Sequence, residues 1–197
     1  MSRRLVSLTI ANLDDIGAAC AACPHWGLGT GAQAGPEWIR DTLDQWGSCG
    51  QLLYVDGRAA GHLLYAPPAF VPRSMGFPTS PVSNDAVLLM TGQLAAPYRG
   101  AGLGKVLVQG VVRDIAQRGI KAIEAFGVTN PGAVPHRDQP CLLPANFLEA
   151  VGFRTVRPHS AVPRLRLEIR STLSWRADME SAFDRLLASI QTPAVAR

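Results

Sequence analysis

Residues Tyr98-Arg99-Gly100-Ala101-Gly102-Leu103-Gly104-Lys105 put a glycine-rich turn between an apolar strand pattern and the start of a helical pattern. The chemistry such a junction can do is anion binding. The first N–H groups of a helix have no backbone partner and carry the positive end of its dipole, and glycines let an anion approach them closely. Two better-defined phosphate motifs fail on spacing. A Walker loop requires G-x-x-x-x-G-K-[ST], whereas Gly104-Lys105 is followed by Val106 and the residue five before Gly104 is Arg99. A dinucleotide fingerprint requires G-x-G-x-x-G, and counting from Gly100 places Lys105 where the last glycine belongs. What remains is R-x-x-G-x-G, read as Arg99, Gly102 and Gly104 and preceded by Pro97-Tyr98.

The elements that must position this turn are legible on both sides of it. Val87-Leu88-Leu89-Met90 is a continuous apolar run that suits a buried strand continuing toward Leu94, with Pro97 ending it. From Leu103 the spacing becomes helical: Leu103, Val106, Leu107, Gly110, Val111 and Ile115 share one face, and Gly119 stops the helix. Upstream, Arg4 to Ile10 alternates like a strand, Asn12 is expected to cap a helix running to about Cys23, and Glu37 to Trp46 reads as a second helix stopped by Gly47. Asp56-Gly57 is a strong hairpin signal between strands Gln51 to Val55 and Ala59 to Tyr65. Downstream, Lys121 to Val128 reads as a fifth strand. Met179, Phe183, Leu186, Leu187 and Ile190 recur at helical spacing, so residues 171–197 are expected to form a C-terminal helical extension packed on the domain or at a homodimer contact.

The R-x-x-G-x-G loop resembles the coenzyme A pyrophosphate loop of the GNAT superfamily of N-acetyltransferases. The later segment Pro144-Ala145-Asn146-Phe147-Leu148-Glu149-Ala150-Val151-Gly152-Phe153 is similar to the helix of that family that ends at a Gly-Phe pair and feeds the last strands, here Phe153 to Arg157 and Leu165 to Ile169. The resemblance covers roughly residues 4 to 170, taken as one domain within 1–170. It implies an α/β fold with a mixed, mostly antiparallel twisted sheet of about seven strands flanked by helices. It also implies acetyl-CoA as cofactor and a small-molecule or peptide amine as acceptor. The backbone of Leu94, Ala95 and Ala96 would align the acyl-pantetheine arm, and the amides of Arg99, Gly100, Ala101, Gly102, Leu103, Gly104 and Lys105 would hold the pyrophosphate.

This chain departs from its relatives where their acid and base often stand. Leu148, with Phe147 beside it, occupies the position of a tyrosine that protonates the coenzyme A sulfur, and Cys141 stands seven residues earlier, where the family often has an asparagine. Cys141 and Phe147 are expected beside the cofactor. Leu88 replaces the acid that some relatives keep on the central strand. The remaining candidates for proton transfer are Asp85 at that strand's start, Glu124 on the neighbouring strand and His62, whose imidazole has the pKa range of a base. Trp26, Trp38 and Trp46, with Phe70 and Phe77 in the Pro-rich stretch from Pro67 to Ser83, suggest an apolar or flat acceptor. Trp26, Phe70 and Phe77 are the residues expected to touch it, and a connection of that length is often a lid or binding loop.

Composition supports one globular domain: 197 residues, 47% hydrophobic and 17% charged, can bury a sizeable core. The net charge of +4 suits a polyanionic cofactor, while the scattered arginines give no reason to expect a nucleic-acid partner. No apolar run approaches the roughly 18 residues of a membrane span, so no membrane role is expected and the protein is read as cytoplasmic. Cys20-Ala21-Ala22-Cys23 is a C-x-x-C without a second pair to complete a metal site, and no metal is expected. Its alternatives are core packing in register with Leu13 and Ile16, a redox or metal role with His25, or a place beside the substrate pocket. Four cysteines in a cytosolic chain imply free thiols rather than a disulfide framework.

Overall fold

The computed structural model describes residues 2–16, 26, 34–130 and 141–169. Strands β1 (Arg3–Ser7), β2 (Gly50–Val55), β3 (Arg58–Ala66), β4 (Ala86–Leu94), β5 (Ala122–Val128), β6 (Leu143–Pro144), β7 (Arg154–Arg157) and β8 (Arg164–Glu168) form one sheet in the order β1-β2-β3-β4-β5-β8-β7, with the two-residue β6 alongside β5. The β4–β5 and β5–β6 pairs are parallel and the rest antiparallel. Helices α1 (Ala34–Trp46), α2 (Leu103–Gln117) and α3 (Ala145–Ala150) complete the frame. The Asp56-Gly57 turn joins β2 and β3 with both residues at positive φ, 49° and 78°, the backbone twist that right-handed strands need in a two-residue hairpin. The Cys20-x-x-Cys23 motif and the expected C-terminal helix lie outside the described residues.

Covering both faces of the sheet explains why β2 and the first six residues of β4 are buried throughout and read as unbroken apolar runs. One layer joins Leu64, Leu88, Met90 and Phe126 to Trp38 and Ile39 of α1 and to Val71 of the Pro-rich segment. The other joins Leu63, Val87, Leu89, Ile123 and Ala125 to the buried stripe of α2 and to Leu148 and Phe153 around α3. Strand β4 continues into β5 through α2, the crossover that a parallel pair requires. At Gly110 that helix lies so close to β1 that a Cβ would come 2.5 Å from Leu5 Cδ2. Its far end is anchored by Arg118, which donates to Asp114 Oδ2 at 3.0 Å and to the Trp46 carbonyl at 2.7 Å while stacking on the Trp46 ring.

Two local expectations change. Asn12 does not open a helix: it sits inside the 3₁₀ turn Ile10–Asp15, where its Oδ1 accepts the Thr9 N–H at 2.7 Å, so Thr9 occupies the cap. A short amide side chain stabilises such a turn equally well from within, by reaching back to the cap. The segment Pro67 to Ser83, expected to be a lid or binding loop, is tied down by four hydrogen bonds. Phe70 O accepts from Trp38 Nε1 at 2.7 Å, Thr79 Oγ1 donates to Val162 O at 3.0 Å, Ser80 O accepts from Arg157 Nη1 at 3.1 Å, and Ser83 N donates to Glu124 Oε2 at 3.1 Å.

Candidate active site

Pairing between β4 and β5 runs from Ala86 opposite Ala122 to Leu89 opposite Ala125 and then stops. Beyond that point β5 pairs instead with β6, through Gly127 and Val128. The two central strands therefore part, and among the described residues no strand pairs with β4 on the β5 side after Leu89. A bulge falls at this place: Tyr65 faces Leu89 and Leu64 faces Thr91, so Met90 is an extra residue in β4, a device that bends a strand and re-aims its backbone.

Backbone alternation identifies which groups the open edge presents. The Ala95 N–H donates to Ala60 O at 2.9 Å, toward β3. Because successive residues of a strand point their N–H and C=O to opposite edges, Gly92 and Leu94 turn theirs to the gap. This corrects the expected alignment by Leu94, Ala95 and Ala96. Leu94 stays on the open edge, but the Ala95 amide is engaged and Ala96 already belongs to the following 3₁₀ turn Ala96–Tyr98. Gly92 was not anticipated, because the bulge that sets its orientation has no signature in the residue pattern.

The glycine loop follows directly. Arg99 Nε donates to Leu94 O at 2.9 Å, which folds the loop back on the strand end. Gly100 and Gly102 adopt φ of +77° and +74°, a conformation costly for any other residue, and a Cβ on either would meet only open space. Gly102 is the N-cap of α2, and the first intrahelical bond runs from Lys105 N to Gly102 O at 3.1 Å. At Gly104 a Cβ would lie 2.8 Å from Phe147 Cε2, so the Phe147 ring of α3 rests on the first turn of α2. The loop, the open β4 edge and Phe147 are thus brought together, with Arg99 and Lys105 exposed beside them. Open left-handed glycines and first-turn amides at a helix N-terminus fit a pyrophosphate, and an uncovered strand edge fits an extended amide-bearing arm. Cys141 is half-buried against the α1-side layer, two residues before β6. Leu148 is fully buried in the opposite layer.

The three expected proton-transfer groups separate. Glu124 has no exposed surface, and its carboxylate takes Arg166 Nη1 at 3.0 Å, Arg164 Nε as an ion pair at 3.4 Å, and the Ser83 amide. Asp85 takes Arg166 Nη1 and Nη2, each at 2.9 Å, and these bonds hold its carboxyl below the usual carboxylate value. With Glu168 at 2.6 Å, three carboxylates converge on Arg166, which raises its pKa, chiefly through Asp85. Asp85 also stands about nine residues from Leu94, roughly 30 Å along an extended strand, beside a groove of about 320 Å³ lined by Pro67, Gly119 and Lys121. Both carboxylates therefore belong to a structural ion network. The Arg-Leu-Arg-Leu-Glu alternation of β8 carried its signal, a charged face registered against Glu124.

His62 differs from both. It lies on β3 opposite Gln93 of β4, on the α1-side face, 3% exposed, and its Nε2 has no hydrogen-bond partner. Burial pushes the imidazole pKa down to about 4, so it is neutral at physiological pH. On the same face Trp26 tilts against Phe77 at 5.3 Å between ring centroids, and Phe77 stacks on Phe126 at 4.6 Å. Trp26 is wholly buried and Phe70 and Phe77 are half-buried against the same layer, so these three gather on one side of the sheet. Trp38 joins them. Trp46 does not: it packs edge-on to Tyr65 in the opposite layer. Cys49 is also buried, its thiol pushed up to about 12, which makes it unreactive.

No protein-family model and no curated protein matches the chain. Solved structures do. A putative acetyltransferase of the GNAT family from Desulfovibrio desulfuricans matches with a TM-score of 0.51 at 19% identity, covering 85% of this chain and 98% of that one. The PaiA N-acetyltransferase from Thermoplasma acidophilum, in complex with coenzyme A, matches with a TM-score of 0.52 at 12% identity, covering 85% and 99%. The putative acetyltransferase YncA from Salmonella typhimurium, with acetyl-CoA, matches with a TM-score of 0.56 at 10% identity, covering 88% and 97%. The chain shares the fold of these acetyltransferases, the GNAT fold: a mixed, mostly antiparallel sheet whose strands β4 and β5 part before a left-handed glycine turn leads into α2.

Proposed function

We propose that the protein is an N-acetyltransferase that moves an acetyl group from acetyl-CoA to a primary amine of a small molecule or peptide, by direct attack within a ternary complex. The observation that carries this reading is the junction at the end of β4: an uncovered strand edge, two left-handed glycines open to space, and a helix N-terminus under Phe147. Amides at the start of α2 hold the pyrophosphate, with Arg99 and Lys105 adding positive charge. Gly92 and Leu94 pair with the pantetheine arm as a neighbouring strand would, and Cys141 and Phe147 flank it. Acetyl-CoA would supply an activated thioester. The amine arrives from the α1-side face, between the aromatic wall of Trp26 and Phe77 and strand β3. No helix among the described residues is long and apolar enough to cross a membrane.

Thermal or urea unfolding with acetyl-CoA at about 100 times its Kd tests the cofactor, since binding to the native state alone adds roughly 2.7 kcal/mol. No shift would remove the premise. A second reading, a coenzyme-A-binding sensor without turnover, is favoured by one observation. Leu148 is a buried apolar residue where a thiol acid would stand, and Asp85 and Glu124 are engaged elsewhere. Release of free thiol from acetyl-CoA over a panel of primary amines separates the two. Stabilisation without release selects the sensor.

A further inference from the structure

We infer that His62 Nε2 is the atom that receives an N–H of the acceptor amine. The inference rests on the proposed transferase reading and adds the residue that touches the acceptor. Three observations converge on it. The imidazole is almost wholly enclosed, yet Nε2 lacks a hydrogen bond, and a buried polar atom left unsatisfied in a native protein calls for a partner that arrives with function. Its position is right: β3 carries it opposite Gln93, on the open half of β4 past the Met90 bulge, and on the face that holds Trp26, Phe77 and Phe126. The competing groups are removed, because Glu124 and Asp85 are both held by Arg166.

The chemistry balances without a further reactant. The amine donates one N–H to Nε2, which turns its lone pair to the thioester carbonyl carbon. The N–C bond forms and the C–S bond breaks, with its electron pair leaving on sulfur. The nitrogen gains positive charge as it bonds to the acyl carbon, and its surplus proton becomes acidic enough for a neutral imidazole to take. The imidazolium then returns that proton through water to the thiolate, giving the amide and the free thiol. A neutral imidazole keeps a free lone pair on one ring nitrogen, which is what an arriving N–H needs.

The test has two readouts on the full chain. In ¹⁵N-histidine NMR of the apoprotein at pH 7, His62 is expected as the neutral Nδ1–H form with bare Nε2. An Nε2–H tautomer or an imidazolium would overturn the inference. Among benzylamine, spermidine and trialanine, whichever the wild type acetylates is then taken to His62→Gln and His62→Ala. We expect kcat to fall about 10²-fold or more in both, with acetyl-CoA binding by calorimetry within twofold of wild type and partial rescue of His62→Ala by imidazole. Unchanged kcat in a folded His62→Gln variant, with wild-type turnover intact, would overturn the role of His62 and leave the transferase reading standing. Failure of the wild type to bind acetyl-CoA would instead overturn both readings.

Discussion

Enclosing His62 makes the stability of this protein depend on pH in a defined window. The folded imidazole titrates near 4, while in the unfolded chain it titrates near 6.5, so between those values the unfolded state binds more protons. Stability therefore rises with pH through this window: the contribution is fully present above about 6.5, is lost as pH falls toward 4, and changes no further below that. From pH 7 to pH 5 the unfolded imidazole becomes almost fully protonated and the folded one stays about nine-tenths neutral, so integration gives a loss of about 2 kcal/mol. Urea unfolding of wild type and His62→Gln at both pH values isolates this site, because the other three histidines are common to both chains. The wild type should lose about 2 kcal/mol more than the variant between pH 7 and pH 5. Equal losses would show that the imidazole is hydrated or protonated in the native state, and the enclosure argument would fail.

Arg166→Met leaves the enclosed Glu124 carboxylate with only the longer Arg164 pair and the Ser83 amide, and should lower stability by about 3–5 kcal/mol in urea melts; adding Glu124→Gln should restore part of it, since breaking a buried pair costs more than removing both partners. Gly102→Val places a β-branched residue at φ +74° and a side chain in the space assigned to the pyrophosphate. Acetyl-CoA affinity by calorimetry should drop about tenfold or more, and unchanged affinity would refute that placement.

The sequence by itself determined the succession of elements. Each boundary is enforced by a residue with local consequences: Gly47 and Gly119 at φ of +83° and +70° after α1 and α2, Asp56-Gly57 in the hairpin, and the strand-to-helix change of period across Arg99 to Lys105. The glycine loop was legible for the same reason, because its conformation is set by glycines only a few residues apart. Long-range pairing decided the rest. Nothing near Met90 announces that it is unpaired, since a bulge is a mismatch of register between two strands, and that mismatch put Gly92 and not Ala95 on the open edge. Glu124, Asp85 and His62 are equally plausible proton carriers as residue types. Arg166, 42 residues beyond Glu124 and 81 beyond Asp85, engages both carboxylates, while β3 carries the imidazole into an enclosed site where its Nε2 has no hydrogen-bond partner. Whether a titratable group is neutralised or left available depends on what the tertiary structure places beside it.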